Sequence, residues 1–147
     1  MPYFDLTEEG ILNAEVSSAF QQILDANTWY KWWTPYIEAK IQGGEELIQP
    51  NSIVEIKIHY TITAKFLAKF KDIEENKSID VEYFKGDFVG TGEWFFEPLD
   101  GKTKVLYHFH AKPNTLLIRL LLKFIDFRKA HSKIMQAGFQ GLNDYLR

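Results

Sequence analysis

Few polar side chains here could do chemistry, and the most telling ones fall on greasy faces. His131 belongs to a stripe of Leu117, Leu120, Leu121, Phe124, Phe127, His131, Ile134, Met135, Phe139, Leu142 and Leu146 that recurs in steps of three and four. That period describes a long helix whose apolar side meets the rest of the protein. A histidine there can orient a bound molecule, or move a proton if its pKa stays near neutrality. The plainer alternative is a stripe-edge histidine satisfied by a neighbour or by water. Tyr60, Tyr83 and Tyr107 stand at inward positions of alternating segments and offer hydroxyls to the same interior. His108 and His110 lie two apart on a polar face, with His59 on the polar face of another segment. Such a pair can grip a metal once a third ligand arrives. No carboxylate is placed by sequence to complete the set, so a solvated pair and no metal are expected.

Nucleophilic catalysis finds little support. Ser17 and Ser18 lie near the start of a helix, where a capping role is expected. No Gly-x-Ser-x-Gly elbow, phosphate loop or nucleotide fingerprint occurs. The absence of cysteine excludes disulfides, thiolate metal sites and cysteine nucleophiles, and suits a reducing cytoplasm. Asp126, Arg128 and Lys129 read as the polar side of the helix. Lys65, Lys69 and Lys71 read as a solvated strip, because Asp72, Glu74 and Glu75 follow at once. Catalytic residues are not assigned, and no cofactor is expected.

Charge and composition narrow the partners. Seventeen basic against 20 acidic residues leave a net charge of −3, which argues against a nucleic-acid surface. The opening Met-Pro-Tyr-Phe-Asp has no basic region followed by an apolar run, so no secretory signal and a cytoplasmic location are expected. The greasiest stretch, residues 116–125, carries Arg119 and Lys123 and is about half the length of a membrane span. No integral membrane association is expected, although transient contact with a membrane stays open. The aromatic content, 12 Phe, 7 Tyr and 4 Trp, serves either a bulky core or the wall of a pocket.

The elements that must position these residues come from the alternation. Residues 53–62 place Val54, Ile56, Ile58, Tyr60 and Ile62 on one face and Glu55, Lys57, His59 and Thr61 on the other. The same period two returns through Ala64, Phe66, Ala68 and Phe70, through Ile79, Val81 and Tyr83, through Phe88, Gly90, Gly92, Trp94 and Phe96, and through Val105, Tyr107 and Phe109. Five such strands with Gly, Asn and Asp turns read as an antiparallel meander. Gly90 and Gly92 on the inward face signal curvature or close approach. Ahead of the meander, residues 3–14 read as an edge strand broken near Glu9-Gly10, residues 16–26 as an amphipathic helix, residues 27–35 as a second short helix ended by Pro35, and residues 37–48 as a strand. Thr115 is a candidate N-cap for the closing helix, which is expected to kink, if anywhere, near Gly138 or Gly141. No repeat, linker or low-complexity segment interrupts 1–147, so a single domain is expected.

This order, with Ala14, Ala19-Phe20, Asp25, Trp29, Trp33-Thr34-Pro35, the run Gly90-Thr91-Gly92-Glu93-Trp94-Phe95-Phe96-Glu97-Pro98 and Gly101-Lys102-Thr103-Lys104-Val105-Leu106-Tyr107, resembles the START-like (SRPBCC, Bet v 1-like) superfamily. Its polyketide cyclase/dehydrase and lipid-transport branch is the nearest match. Val16 departs from the proline that often opens the first helix there. The resemblance implies an α+β helix-grip fold: a seven-stranded curved antiparallel sheet wrapped around a long C-terminal helix, with two short helices after the first strand. It also implies a cavity that takes a lipid, sterol, polyketide or similar apolar small molecule. Carried onto the alternation, the ligand-binding wall would comprise Tyr60, Phe66, Phe70, Tyr83, Phe88, Trp94, Tyr107 and Phe109 from the sheet, and Phe124, His131, Met135 and Phe139 from the helix. Burying one such ring stabilises by roughly 1.5–3 kcal/mol whether its partner is ligand or core, so energy alone does not separate the two. The rival roles are a polyketide aromatase/cyclase using His131 with a tyrosine, and a co-chaperone-like interaction module presenting Trp29, Trp32 and Trp33 as an exposed patch.

Overall fold

The computed structural model describes residues 3–147; Met1 and Pro2, part of the expected 1–147 domain and of the stretch read for a leader, lie outside them. Seven strands, β1 (Phe4–Leu12), β2 (Ile37–Ile41), β3 (Ile53–His59), β4 (Thr63–Glu74), β5 (Ser78–Gly86), β6 (Phe88–Leu99) and β7 (Lys102–Pro113), form one antiparallel sheet. Their order is β1-β7-β6-β5-β4-β3-β2, so β3 to β7 are the expected meander, with β1 beside β7 and β2 beside β3. Helices α1 (Val16–Leu24) and α2 (Trp29–Trp32) connect β1 to β2, and α3 (Leu116–Leu121) and α4 (Phe127–Tyr145) follow β7. This is the α+β helix grip with two short helices after the first strand.

The period-two pattern does the positioning. In β7, Thr103, Val105, Tyr107, Phe109 and Ala111 are buried, while the residues between them face outward. One apolar cluster joins this concave face to α1, α2 and α4. The opposite face carries cross-strand ion pairs such as Lys71–Glu82 at 3.1 Å and Lys104–Glu9 at 3.3 Å. Exposed pairs of this kind contribute little to stability.

Several local expectations fail for identifiable reasons. β1 is unbroken at Glu9-Gly10: the Phe139 ring lies over Gly10, where an added Cβ would sit 2.4 Å from its Cδ2. β2 stops at Ile41 because Gly43 (φ 85°) turns the chain. β3 ends at His59, and residues 60–62 make the turn into β4, with Tyr60 N donating to Ile62 O. The closing helix is two helices, for Asp126 restarts it by accepting from Lys129 N. Gly138 and Gly141 produce no break in α4; they make room for α2. A Cβ on Gly141 would lie 1.8 Å from the Trp32 carbonyl oxygen, and Trp33 Nε1 donates to Ile134 O across the same contact at 2.8 Å.

Thr115 caps α3 as expected, accepting from Ile118 N. Ser17 and Ser18 cap nothing, since α1 starts at Val16 with Glu15 at its N-cap position and no side-chain cap. The exposed tryptophan patch is also overturned. Trp29, Trp32 and Trp33 are 3, 4 and 3% exposed; Trp32 and Trp33 stack, Trp29 meets both at steep angles, and the cluster packs against α4 and Trp94.

Candidate functional site

The concave face and α4 enclose a cavity of about 100 Å³, lined almost wholly by apolar side chains. Ten of the twelve expected wall residues line it: Tyr60, Phe66, Phe70, Tyr83, Phe88, Trp94, Tyr107, Phe109, His131 and Met135. The other two do not. Phe124 is 82% exposed, because the helical stripe that would have carried it inward is interrupted between α3 and α4. Phe139 is buried, but over Gly10 on β1 and away from the cavity. The wall also includes Trp29 and Trp33, which the interaction-module role needed on the surface, and Leu122, Ile125 and Phe127 from the α3–α4 junction. A larger concavity, about 630 Å³, lies on the sheet's outer side among Lys40, Lys57, Lys65, Lys85, Glu38 and Glu55. It is a solvent-facing trough with charges of both signs.

Three polar side chains of the wall, Tyr83, Tyr107 and His131, lie close together. Tyr83 on β5 and Tyr107 on β7 share the concave face on either side of β6, and their hydroxyls are hydrogen-bonded to each other. They meet over Gly92, where a Cβ would be 2.5 Å from the Tyr83 hydroxyl and 3.1 Å from that of Tyr107. Glycine on the inward face is thus what makes space for the pair. Two hydroxyls carry two protons, and one bond between them uses one; the second is free to donate. Burial pushes both phenol pKa values up, so the pair is uncharged at neutral pH.

His131 stacks beside this pair, its ring 6.1 Å from that of Tyr107 and 4.9 Å from that of Phe109. Its Nδ1 is buried without a hydrogen-bond partner, and the nearest carboxylate, Glu8 Oε1, stands 4.0 Å away. Burial lowers the His131 pKa to about 4, so the ring is neutral at pH 7 and offers hydrogen bonds rather than a charge. Glu8 Oε2 accepts from Ser132 Oγ and Gln136 Nε2, both at 3.3 Å, which fixes the carboxylate against α4. Glu8 escaped the sequence reading. Its signal is the inward series Phe4, Leu6, Glu8, Gly10 and Leu12, in which one position is an acid.

The histidine pair on the outer face has carboxylates that sequence did not place. His108 bonds Asp5 through Nε2 and lies 3.2 Å from Glu93 through Nδ1. His110 stacks on Tyr3 with ring centroids 4.6 Å apart. Hydrogen bonding to Asp5 holds the His108 pKa above its usual value and the Asp5 pKa below. Among the described residues, no three His, Cys, Asp or Glu side chains are grouped as a metal would need.

No family model matches the chain, and no curated protein does. Solved structures do. A protein of Thermus thermophilus superposes with TM-score 0.77 at 15% identity, over 96% of this chain and 95% of that one. A START superfamily protein of Mycobacterium smegmatis gives 0.74 at 12% identity, over 96 and 95%. An aromatase/cyclase of Streptomyces sp. R1128 gives 0.71 at 14% identity, over 99 and 96%. At these identities the likeness speaks for the backbone alone: the chain has the START-like, Bet v 1-like helix-grip fold.

Proposed function

We propose that this chain is a single-domain cytoplasmic binding protein for an apolar small molecule that carries one uncharged hydrogen-bond acceptor. The observation that carries the reading is a greasy cavity in whose wall Tyr83, Tyr107 and His131 lie close together, with a free tyrosine proton and an unpaired histidine nitrogen. A core built only for stability leaves few buried polar groups unpaired. A ligand site needs such groups, since burial supplies affinity and the hydrogen bond sets orientation. A neutral cluster disfavours a carboxylate and favours a hydroxyl or carbonyl oxygen.

At about 100 Å³ the cavity is below the roughly 300–1,000 Å³ of pockets that enclose drug-sized ligands. A lipid- or polyketide-sized guest therefore requires the wall to move. The part of that wall outside regular secondary structure includes the α3–α4 junction, where Leu122 and Ile125 line the cavity, and this is where we place the opening. Native mass spectrometry of freshly purified protein, with displacement of the neutral dye N-phenyl-1-naphthylamine by fatty alcohols, sterols and polyphenols, tests the reading. One-to-one adducts and competitive displacement are expected. A dye that neither binds nor is displaced by any of the three classes would refute it.

The unpartnered His131 Nδ1, with Glu8 Oε1 4.0 Å away, favours a second reading, an aromatase/cyclase-like reaction in which a bound polyketide chain bridges the two and the nearby carboxylate raises the basicity of the ring as it takes a proton. Turnover of such a chain that survives His131→Ala unchanged would dismiss it.

A further inference from the structure

We infer that the α3 end of the molecule is a docking face for an anionic lipid bilayer, set at the rim of the cavity. In α3 and the connection after it, Ile118 and Leu122 turn inward, whereas Leu116, Leu117, Leu120 and Phe124 are 83, 64, 52 and 82% exposed. Large apolar side chains exposed side by side in this way mark an interaction surface. The segment that carries them is basic in sequence, although Asp87, which accepts from Thr115 Oγ1, packs at the start of α3. Between positions 112 and 133 stand Lys112, Arg119, Lys123, Arg128, Lys129 and Lys133 against the single acid Asp126. That region carries +5 in a chain of net −3, which leaves −8 on the remainder.

Apolar side chains among cations fit the boundary layer of a bilayer: the former enter between headgroups while the latter stay with lipid phosphates. The acidic remainder is repelled by the same surface, which orients the molecule with this end down. A second protein copy is a poorer occupant. One six-residue helix and its connection present a patch smaller than a stable protein interface, whereas shallow insertion of a few side chains suffices for reversible lipid binding. Among the described residues no helix is long and apolar enough to cross a membrane, so the contact inferred is a peripheral one. Leu122, Ile125 and Phe127 line the cavity immediately beside the exposed leucines, and docking would bring that rim against the lipid.

Flotation with phosphatidylcholine vesicles, with and without phosphatidylglycerol, tests the inference. The protein should float with the anionic vesicles, less with pure phosphatidylcholine, and less as salt rises. Arg119→Gln with Lys123→Gln should weaken anionic binding by tenfold or more, at about fivefold per charge. Leu117→Ser with Phe124→Ser should abolish flotation on both; Leu117, Lys123 and Phe124 are exposed while Arg119 is half-buried with its Nε on the Pro113 carbonyl, so circular dichroism checks that each variant stays folded. Two results would overturn it: wild-type protein that stays unbound on anionic vesicles, or serine variants that float like wild type. Sedimentation equilibrium adds a third, a dimer that the serine pair dissociates while vesicles are ignored, which would assign the face to a second copy. The inference is independent of what the cavity holds, for dye binding can fail while flotation succeeds.

Discussion

At the scale of single residues, the corner formed by Tyr83, Tyr107 and His131 can be tested without knowing the ligand. Removing one hydroxyl leaves the other buried and unpaired, so Tyr83→Phe or Tyr107→Phe should each cost about 1–3 kcal/mol. The double variant should cost clearly less than the sum, because both unpaired groups are then gone. Denaturant titration of all four proteins measures the coupling, and strict additivity would deny the pair. His131 gives a pH signature. Its folded pKa of about 4 lies below the ordinary 6.5. As pH falls through that window the unfolded chain takes up a proton that the folded one refuses, and stability drops by about 3 kcal/mol in all. His108 works oppositely: its raised pKa stabilises at low pH and the benefit is lost as pH rises through it. The clean comparison is therefore wild type against His131→Phe. The variant should lose less stability between pH 6.5 and pH 4, and equal slopes would contradict a buried neutral ring. The tyrosines and His131 were legible in sequence because period two and period 3.6 each assign a face. Glu8 was hidden by reading a break at Glu9-Gly10, and Phe124 was misplaced because a stripe predicts a face only while the helix continues.

At the scale of elements, the closest contact is α2 against α4. Gly141 allows the Trp32 carbonyl to lie where a methyl would otherwise be, and Gly138 does the same for the Trp33 ring. Backbone cannot move aside as a flexible side chain can, so Gly141→Ala should destabilise by about 1–3 kcal/mol despite alanine's better helix propensity. Thermal or urea unfolding reads this directly; a neutral or stabilising result would mean that α2 does not sit on α4 as described. A glycine inside a helical stripe announces either a kink or a close approach, and sequence alone could not choose between them. The tryptophans illustrate the same limit from the other side. The rival interaction-module role needed the three rings of Trp29-Tyr30-Lys31-Trp32-Trp33 on the surface, yet a turn of helix followed by the turn at Pro35 folds all three inward. Their burial against α4 and β6 is a long-range contact that no local pattern reports.

At the scale of the whole molecule, strand count and sheet direction followed from alternation and turn chemistry and the grip on a terminal helix from the family resemblance, whereas the free volume did not. Whether aromatic walls touch or stand apart depends on tenths of an ångström summed over many rings, as at Gly92 beneath the tyrosine pair. The cavity is what distinguishes a binding protein from a well-packed one. Ala64 and Ala130 line it and are 4 and 7% exposed, so Ala64→Leu with Ala130→Leu fills it from opposite sides without touching the outer surface. Titration of wild type and this filled variant with N-phenyl-1-naphthylamine, alongside their melting temperatures, tests the account most directly. Saturable one-site binding by wild type, lost in a variant that still melts cooperatively, is the predicted outcome. Equal binding by both proteins, or none by wild type, would contradict it.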